Sequence, residues 1–143
     1  MQTTPLRKEV RARQGYRPLF FVFWGFLLWL AATLLFRLAG QWFLVPSDVA
    51  LLAATYYGSL PLIALVTLPV YSLYRLDSES RVRAAVLIAL PGMLMHMATP
   101  LLHDRLFPNL PPETGGPLAS WVFWAYALIL LSGFTRIGQT RQG

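Results

Sequence analysis

Cysteine is absent from the chain. That excludes disulfides, thiol redox chemistry, and metal or iron–sulfur sites built on thiolates. Charge is scarce as well: Asp, Glu, Lys and Arg make up 13% of 143 residues, about half the usual share for a soluble domain. No carboxylate falls in any of the long apolar runs. A phosphate-binding glycine loop, a nucleophile elbow, a metalloprotease helix signature and an intramembrane carboxylate pair are all missing. Histidine occurs only at 96 and 103, two turns apart on one stretch. Axial haem ligation across two helices is not available within one chain. His96, His103 and Asp104 together make a poor metal set, so neither metal nor cofactor is expected.

What the chain has in quantity is apolar surface. It is 56% hydrophobic and 14% aromatic, with a mean hydropathy of +0.52. A soluble domain of this size has too little interior to hide so much. Lipid is the simplest solvent for the excess, and the bilayer is the first expected partner. The formal net charge is +6 and the pI about 10.3, numbers a nucleic-acid binder would share. Here the basic residues cap apolar runs instead of lining a polar face. That pattern suits membrane topology, and no nucleic acid is expected.

Four spans can be read along the chain, giving an all-α, integral membrane four-helix bundle. Leu19 to Phe36 is 18 residues without a charge, long enough to cross a bilayer. It is too long for a signal-peptide core, and no small-residue cleavage site follows, so it is expected to stay as an anchor. The spans are about 19–45, 49–76, 84–102 and 118–134. They lie within a membrane domain, 18–137, between a basic tail, 1–17, and a short tail, 138–143. Pro46-Ser47-Asp48 forms a turn. Pro61, Pro69 and Pro91 fall inside spans, and HDRLFPNLPPETGGP (103–117) is too rich in proline to be helical throughout.

Four spans put both termini on one side. Ten basic residues accompany them: Arg7, Lys8, Arg11, Arg13, Arg17, Arg75, Arg81, Arg83, Arg136 and Arg141. Only Arg105 lies in a loop on the other side. The excess predicts that both termini lie in the cytoplasm, in a multi-pass protein of the cell inner (cytoplasmic) membrane. Trp42, Tyr56, Tyr57, Trp121 and Trp124 near one boundary, and Tyr16, Tyr71 and Tyr74 near the other, suit aromatic belts.

Small residues offer packing seams. Ala50, Ala54 and Gly58 recur every four residues in the second span, and Ala85, Ala89 and Gly92 line the third. VFWGFLL (22–28) resembles VFWAYAL (122–128), but the match is short, apolar and opposite in direction, so nothing rests on it.

Polar side chains inside the spans are the candidate site. Thr33, Arg37 and Gln41 share one face of the first helix, and His96, Thr99 and His103 share one face of the third. Arg37, Gln41, His96, Thr99 and Asp104 are predicted to meet in a polar pocket in the outer half of the membrane. Two placements of Arg37 remain open. It is either buried with a partner or at the outer boundary among headgroups. A buried arginine needs compensation. Asp104 is the first choice. Asp48, Glu113, carbonyls released by Pro61, Pro91 or Pro100, and a bound anion are the others.

LLWLAATLLFRLAGQWF (27–43), RVRAAVLIALPGMLMHM (81–97) and LFPNLPPETGGPLASWVFWAYALILL (106–131) resemble a family of small bacterial four-span membrane proteins classed only as a domain of unknown function. The marks are Arg37 followed by Gly40, the Pro91-Gly92 pair, and Phe107-Pro108-Asn109 before a Trp-rich last span. The resemblance covers about 19–135. It implies a fold and a bacterial membrane location, and no activity.

Three functions compete. A non-enzymatic protein acting by helix packing or partner binding, as a homo-oligomer or with another membrane protein, is favoured by the lack of catalytic groups. A small-solute transporter working as an oligomer is the alternative. The chain has the size of the small multidrug-resistance exporters but lacks their intramembrane glutamate, which leaves an anionic solute at Arg37. An intramembrane enzyme or redox protein has the least to run on.

Overall fold

The computed structural model describes residues 17–135. The stretches before Arg17 and after Thr135, with most of the predicted basic tail and the short closing tail, lie outside the described residues. Five helices follow one another: α1 (Pro18–Ala39), α2 (Val49–Leu73), α3 (Ser78–His96), α4 (Thr99–Leu106) and α5 (Gly115–Ser132). Short 3-10 turns, Gly40–Trp42 and Pro112–Thr114, extend α1 and precede α5. No strand occurs among the described residues. Three segments are long and apolar enough to cross a membrane: Pro18–Trp42, Val49–Leu73 and Pro112–Ser132. α3 and α4 make a fourth if the pair is taken as one broken span, bent by 75°.

Local chemistry sets these boundaries. Pro18 starts α1, where its missing N–H and fixed φ cost nothing. The Asp48 carboxylate accepts from the Leu51 N–H at 2.9 Å and caps α2. α2 ends in a Schellman turn: Arg75 takes φ 48°, and the Leu76 N–H reaches back to the Tyr71 carbonyl at 3.1 Å. An arginine sits where glycine is usual, and buried Leu76 supplies the accompanying apolar contact.

The third predicted span, 84–102, differs most from the structure. α3 starts six residues earlier, at Ser78. The polar connector carries helix-start chemistry, with Asp77 at the cap, Glu79 in the first turn, and an i,i+4 ion pair from Arg83 to Glu79. The helix then breaks at Met97-Ala98 rather than running to Leu102. Pro100 has no N–H, and its ring would meet the carbonyl four residues back, at His96. Pro61, Pro69 and Pro91 stay inside their helices.

Sequence neighbours are not the main packing partners. α1 lies against α3 and runs parallel to it, since Gly25 meets Ile88 and Arg37 meets the end of α4. α5 packs antiparallel to α3, with Gly133 at Ala85 and Tyr126 at Gly92. α2 runs parallel to α5, tied by Tyr56 to Pro117 and by Tyr71 to Ser132. The α1–α3 seam is the tightest: a Cβ on Gly25 would come within 2.0 Å of the Ile88 carbonyl oxygen. Ala84, Ala85, Ile88 and Ala89 on α3 are all buried. The expected seam on α3 is therefore used. Ala50, Ala54 and Gly58 on α2 are exposed instead, and nothing approaches Gly58.

Candidate functional site

Two polar assemblies stand where the sequence suggested one pocket. The first belongs to Arg37. Its Nη1 donates to the carbonyls of Arg105 and Leu106, each at 2.8 Å. These are C-terminal carbonyls of α4, which carry the negative end of the helix dipole and have no partner within the helix. The cation compensates a helix end, not a carboxylate. Asp104 is thus not the partner: its side chain is 94% exposed and accepts only from His103 Nδ1, at 3.3 Å. None of the proline-released carbonyls is involved. Arg37 is both partnered and exposed, one feature from each of the two placements open in the sequence.

Gln41 joins this assembly through Asn109. The Asn109 amide donates to the Phe36 carbonyl at 2.9 Å and to Gln41 Oε1 at 2.5 Å, while Gln41 Nε2 donates to the Leu38 carbonyl at 3.3 Å. Asn109 thereby fastens the loop after α4 to the end of α1. Phe107 and Leu110 on either side are buried, and Leu110 meets Gly40. Thr33, on the same α1 face, is buried, and its hydroxyl has no hydrogen-bond partner.

His96 and Thr99 belong to the second assembly. His96 Nδ1 and Thr99 Oγ1 are 2.9 Å apart across the α3–α4 bend. Either atom can be the donor in this hydrogen bond, because a hydroxyl both donates and accepts and the imidazole has two tautomers. The His96 ring stands edge-on to Tyr126, centroids 5.7 Å apart, and to Trp29 at 6.5 Å. Both His96 and Tyr126 line a groove of ≈ 570 Å³ between the bent α3–α4 pair and α5. Met93, Met97, Leu118 and Phe123 form much of its wall. Met97 and Phe123 are 75% and 73% exposed, so the groove opens on the outer surface of the helix bundle. A second space of ≈ 260 Å³ lies between α1, α2, α3 and α5, bordered in part by the exposed Leu35 and Leu62. His96, Val122 and Tyr126 are shared by both walls.

Trp29 and Trp121 border the second space, but their Nε1 atoms are buried out of its reach and have no acceptor. The Tyr126 hydroxyl has no hydrogen-bond partner among the described residues. It fits against Gly92, where a Cβ would come within 2.3 Å of Oη. The Pro91-Gly92 pair therefore matters because Gly92 makes room for a hydroxyl. His103 also borders the groove, with Nδ1 turned to Asp104 and Nε2 buried without a partner. No group of three His, Cys, Asp or Glu side chains comes together among the described residues.

Sequence reading missed Asn109, Trp29, Tyr126 and Trp121 as members of these assemblies. Aromatic residues in a lipid-facing chain look alike until their neighbours are known. Asn109 had a usable signal, an amide in a proline-flanked loop.

The fold defines a class: an all-helical protein, over the described residues, with three to four membrane-spanning candidates. Within that class the chain belongs to the family of unknown function DUF5367, whose model matches residues 43–140. The match begins after the first span, so Arg37 and Gly40, two marks of the resemblance, fall outside it. No curated protein and no solved structure matches the chain.

Proposed function

We propose that this is a non-enzymatic multi-pass membrane protein that acts by binding another molecule within the bilayer. Its termini face the cytoplasm of a bacterial cell, supported by the ten basic residues gathered at that end. The observation that carries the binding reading is the groove between α3–α4 and α5. Its size lies in the range of small-molecule sites, about 300–1,000 Å³, and its wall is apolar with few polar atoms. Arg37 and Asn109 hold the loop end that frames it.

A photo-crosslinking residue at Ala119, on the groove wall, tests this in native membranes. One discrete adduct is expected at Ala119 and none at Leu65, an exposed position on α2. The same spread of phospholipid adducts at both positions would overturn the reading.

Transport of an uncharged solute by an oligomer is the second reading, favoured by the second space, which shares His96 and Tyr126 with the groove. Its anionic version has less support. An anion at Arg37 would compete with two carbonyls at the negative end of α4. Arg37→Gln separates the two roles: lost transport with normal protein levels supports an anion site, and falling levels support the clamp.

A further inference from the structure

We infer that the end of the bundle where α1 starts and α5 ends binds the headgroups of anionic phospholipids, through the basic run 7–17 with Arg75 beside it. The inference goes beyond the groove and does not depend on what the groove holds.

Net charge comes first. The ten basic residues gathered at this end stand against three carboxylates, Glu9, Asp77 and Glu79. The opposite end has Asp48, Asp104 and Glu113 against Arg37 and Arg105. The carboxylates are shared evenly, so one end alone is strongly cationic. Topology follows the count of Lys and Arg, with little part for Asp and Glu. Attraction to an anionic surface follows the net charge, which makes it a separate property.

Density comes second. Residues 7–17 hold Arg7, Lys8, Arg11, Arg13 and Arg17, with Glu9 as the single carboxylate. α1 starts directly afterwards at Pro18 and has no acidic residue in its first turn. A basic cluster of this size next to a span is the sequence form of anionic-lipid recognition. Four of the five are arginines, whose planar forks match phosphate oxygens two at a time.

Availability comes third, and here the structure sorts the arginines it describes. Arg81 is committed to the Leu76 and Thr135 carbonyls, and Arg83 to Glu79. Arg17 and Arg75 are exposed, and neither side chain has a hydrogen bond or ion pair among the described residues. Phe20, one turn after Arg17, has its ring 4.9 Å from that of Tyr74, the neighbour of Arg75. The start of α1 and the end of α2 therefore bring the two uncommitted arginines to one rim. A run joined directly to a span is held at the headgroup layer, where its effective concentration is high. A soluble polyanion such as nucleic acid has no such advantage.

The chain has no cysteine, so Ala12→Cys takes a single spin label. The full chain is placed in nanodiscs of phosphatidylcholine with increasing phosphatidylglycerol, and the ratio of immobilised to mobile label is read. That ratio should rise with the anionic fraction and collapse in about 1 M salt, where the Debye length is about 3 Å. Each of Arg7→Gln, Lys8→Gln, Arg11→Gln and Arg13→Gln should lower it about fivefold. A label at Ser47→Cys, exposed at the opposite end, should not respond. The rim is tested by Arg17→Gln/Arg75→Gln. Phosphatidylglycerol retained from equimolar mixed-lipid micelles should fall severalfold, with helical circular dichroism unchanged. Unchanged retention removes Arg17 and Arg75 from the assignment. A label ratio indifferent to phosphatidylglycerol, or one that survives both high salt and the loss of all four tail charges, overturns the inference. So does a short RNA that immobilises the label in neutral nanodiscs more strongly than phosphatidylglycerol does. None of these outcomes bears on crosslinking at Ala119, so the groove reading stands or falls separately.

Discussion

α3 and α4 are consecutive, yet they are held by opposite means. α3 seats Ala84, Ala85, Ile88, Ala89 and Gly92 against its neighbours. α4 buries none of its eight residues. The first is packed so closely to α1 that no Cβ fits at Gly25. The second is gripped at its C-terminus by one guanidinium. Lipid offers no hydrophobic gain when helices meet, so a stable seam needs backbones close enough for dense van der Waals contact. A helix that cannot approach that closely must be fastened through polar groups. The bend that carries α4 away from the bundle also leaves the groove open, so the weakly packed region is the one with room for a ligand.

A second arginine does the same work at the opposite end. Arg81 donates to the Leu76 carbonyl at 2.9 Å and to the Thr135 carbonyl at 2.8 Å. It joins the α2–α3 turn to the end of α5, beside the buried Tyr71–Ser132 hydrogen bond. Both arginines therefore answer backbone carbonyls at or just past helix ends. Ion pairs play little part. Among the described residues the contacts between a carboxylate and a basic side chain are the Arg83–Glu79 pair and the His103–Asp104 contact, in each of which the carboxylate is exposed.

The contrast can be broken from either side. The largest effect is expected from Gly25→Leu, which drives a side chain into the Ile88 backbone and should cost about 3 kcal/mol or abolish folding. Denaturation in mixed detergent micelles measures it. A Gly25→Leu chain as stable as the parent would show that the α1–α3 approach is not required. Arg81→Gln leaves the Leu76 and Thr135 carbonyls without their cationic donor. A loss of about 1–3 kcal/mol is expected from charged hydrogen bonds of this kind.

Arg37→Gln should cost less, about 1–2 kcal/mol, because the site is exposed and the dipole term is modest. Its signature is local: hydrogen exchange should quicken over 99–106 and stay unchanged over 84–92. Uniform quickening would mean that α4 and the α3 seam unfold as one unit. Arg75→Gly should have the smallest effect and the opposite sign. It relieves the left-handed strain at φ 48° and should stabilise the α2 end by about 0.5–1 kcal/mol. No gain in the same denaturation assay would mean that the Arg75 side chain makes up the difference.

How far the sequence could be read depended on the kind of contact involved. Leu19 to Phe36 announced a span because length and apolar character are properties of one segment. The α3 start at Ser78 was also legible in Asp77, Glu79 and Arg83 but was outweighed by the polarity of the connector. The Arg37 partner was not legible. Carboxylates stand out in a sequence, whereas every residue has a carbonyl, and which carbonyls lack a partner depends on where a helix ends. Pro100 marked that break locally, but not the direction in which the chain would turn.

The sequence alone determined that this chain is helical and apolar enough to enter lipid, because hydropathy and helix-start chemistry act over a few neighbouring residues. Only the tertiary structure decided that α1 pairs with α3, that Arg37 caps α4, and that His96 and Tyr126 stand together on one groove wall. Those outcomes turn on close approach between segments far apart in the chain. A glycine or a carbonyl looks the same in sequence whether or not another backbone comes to meet it.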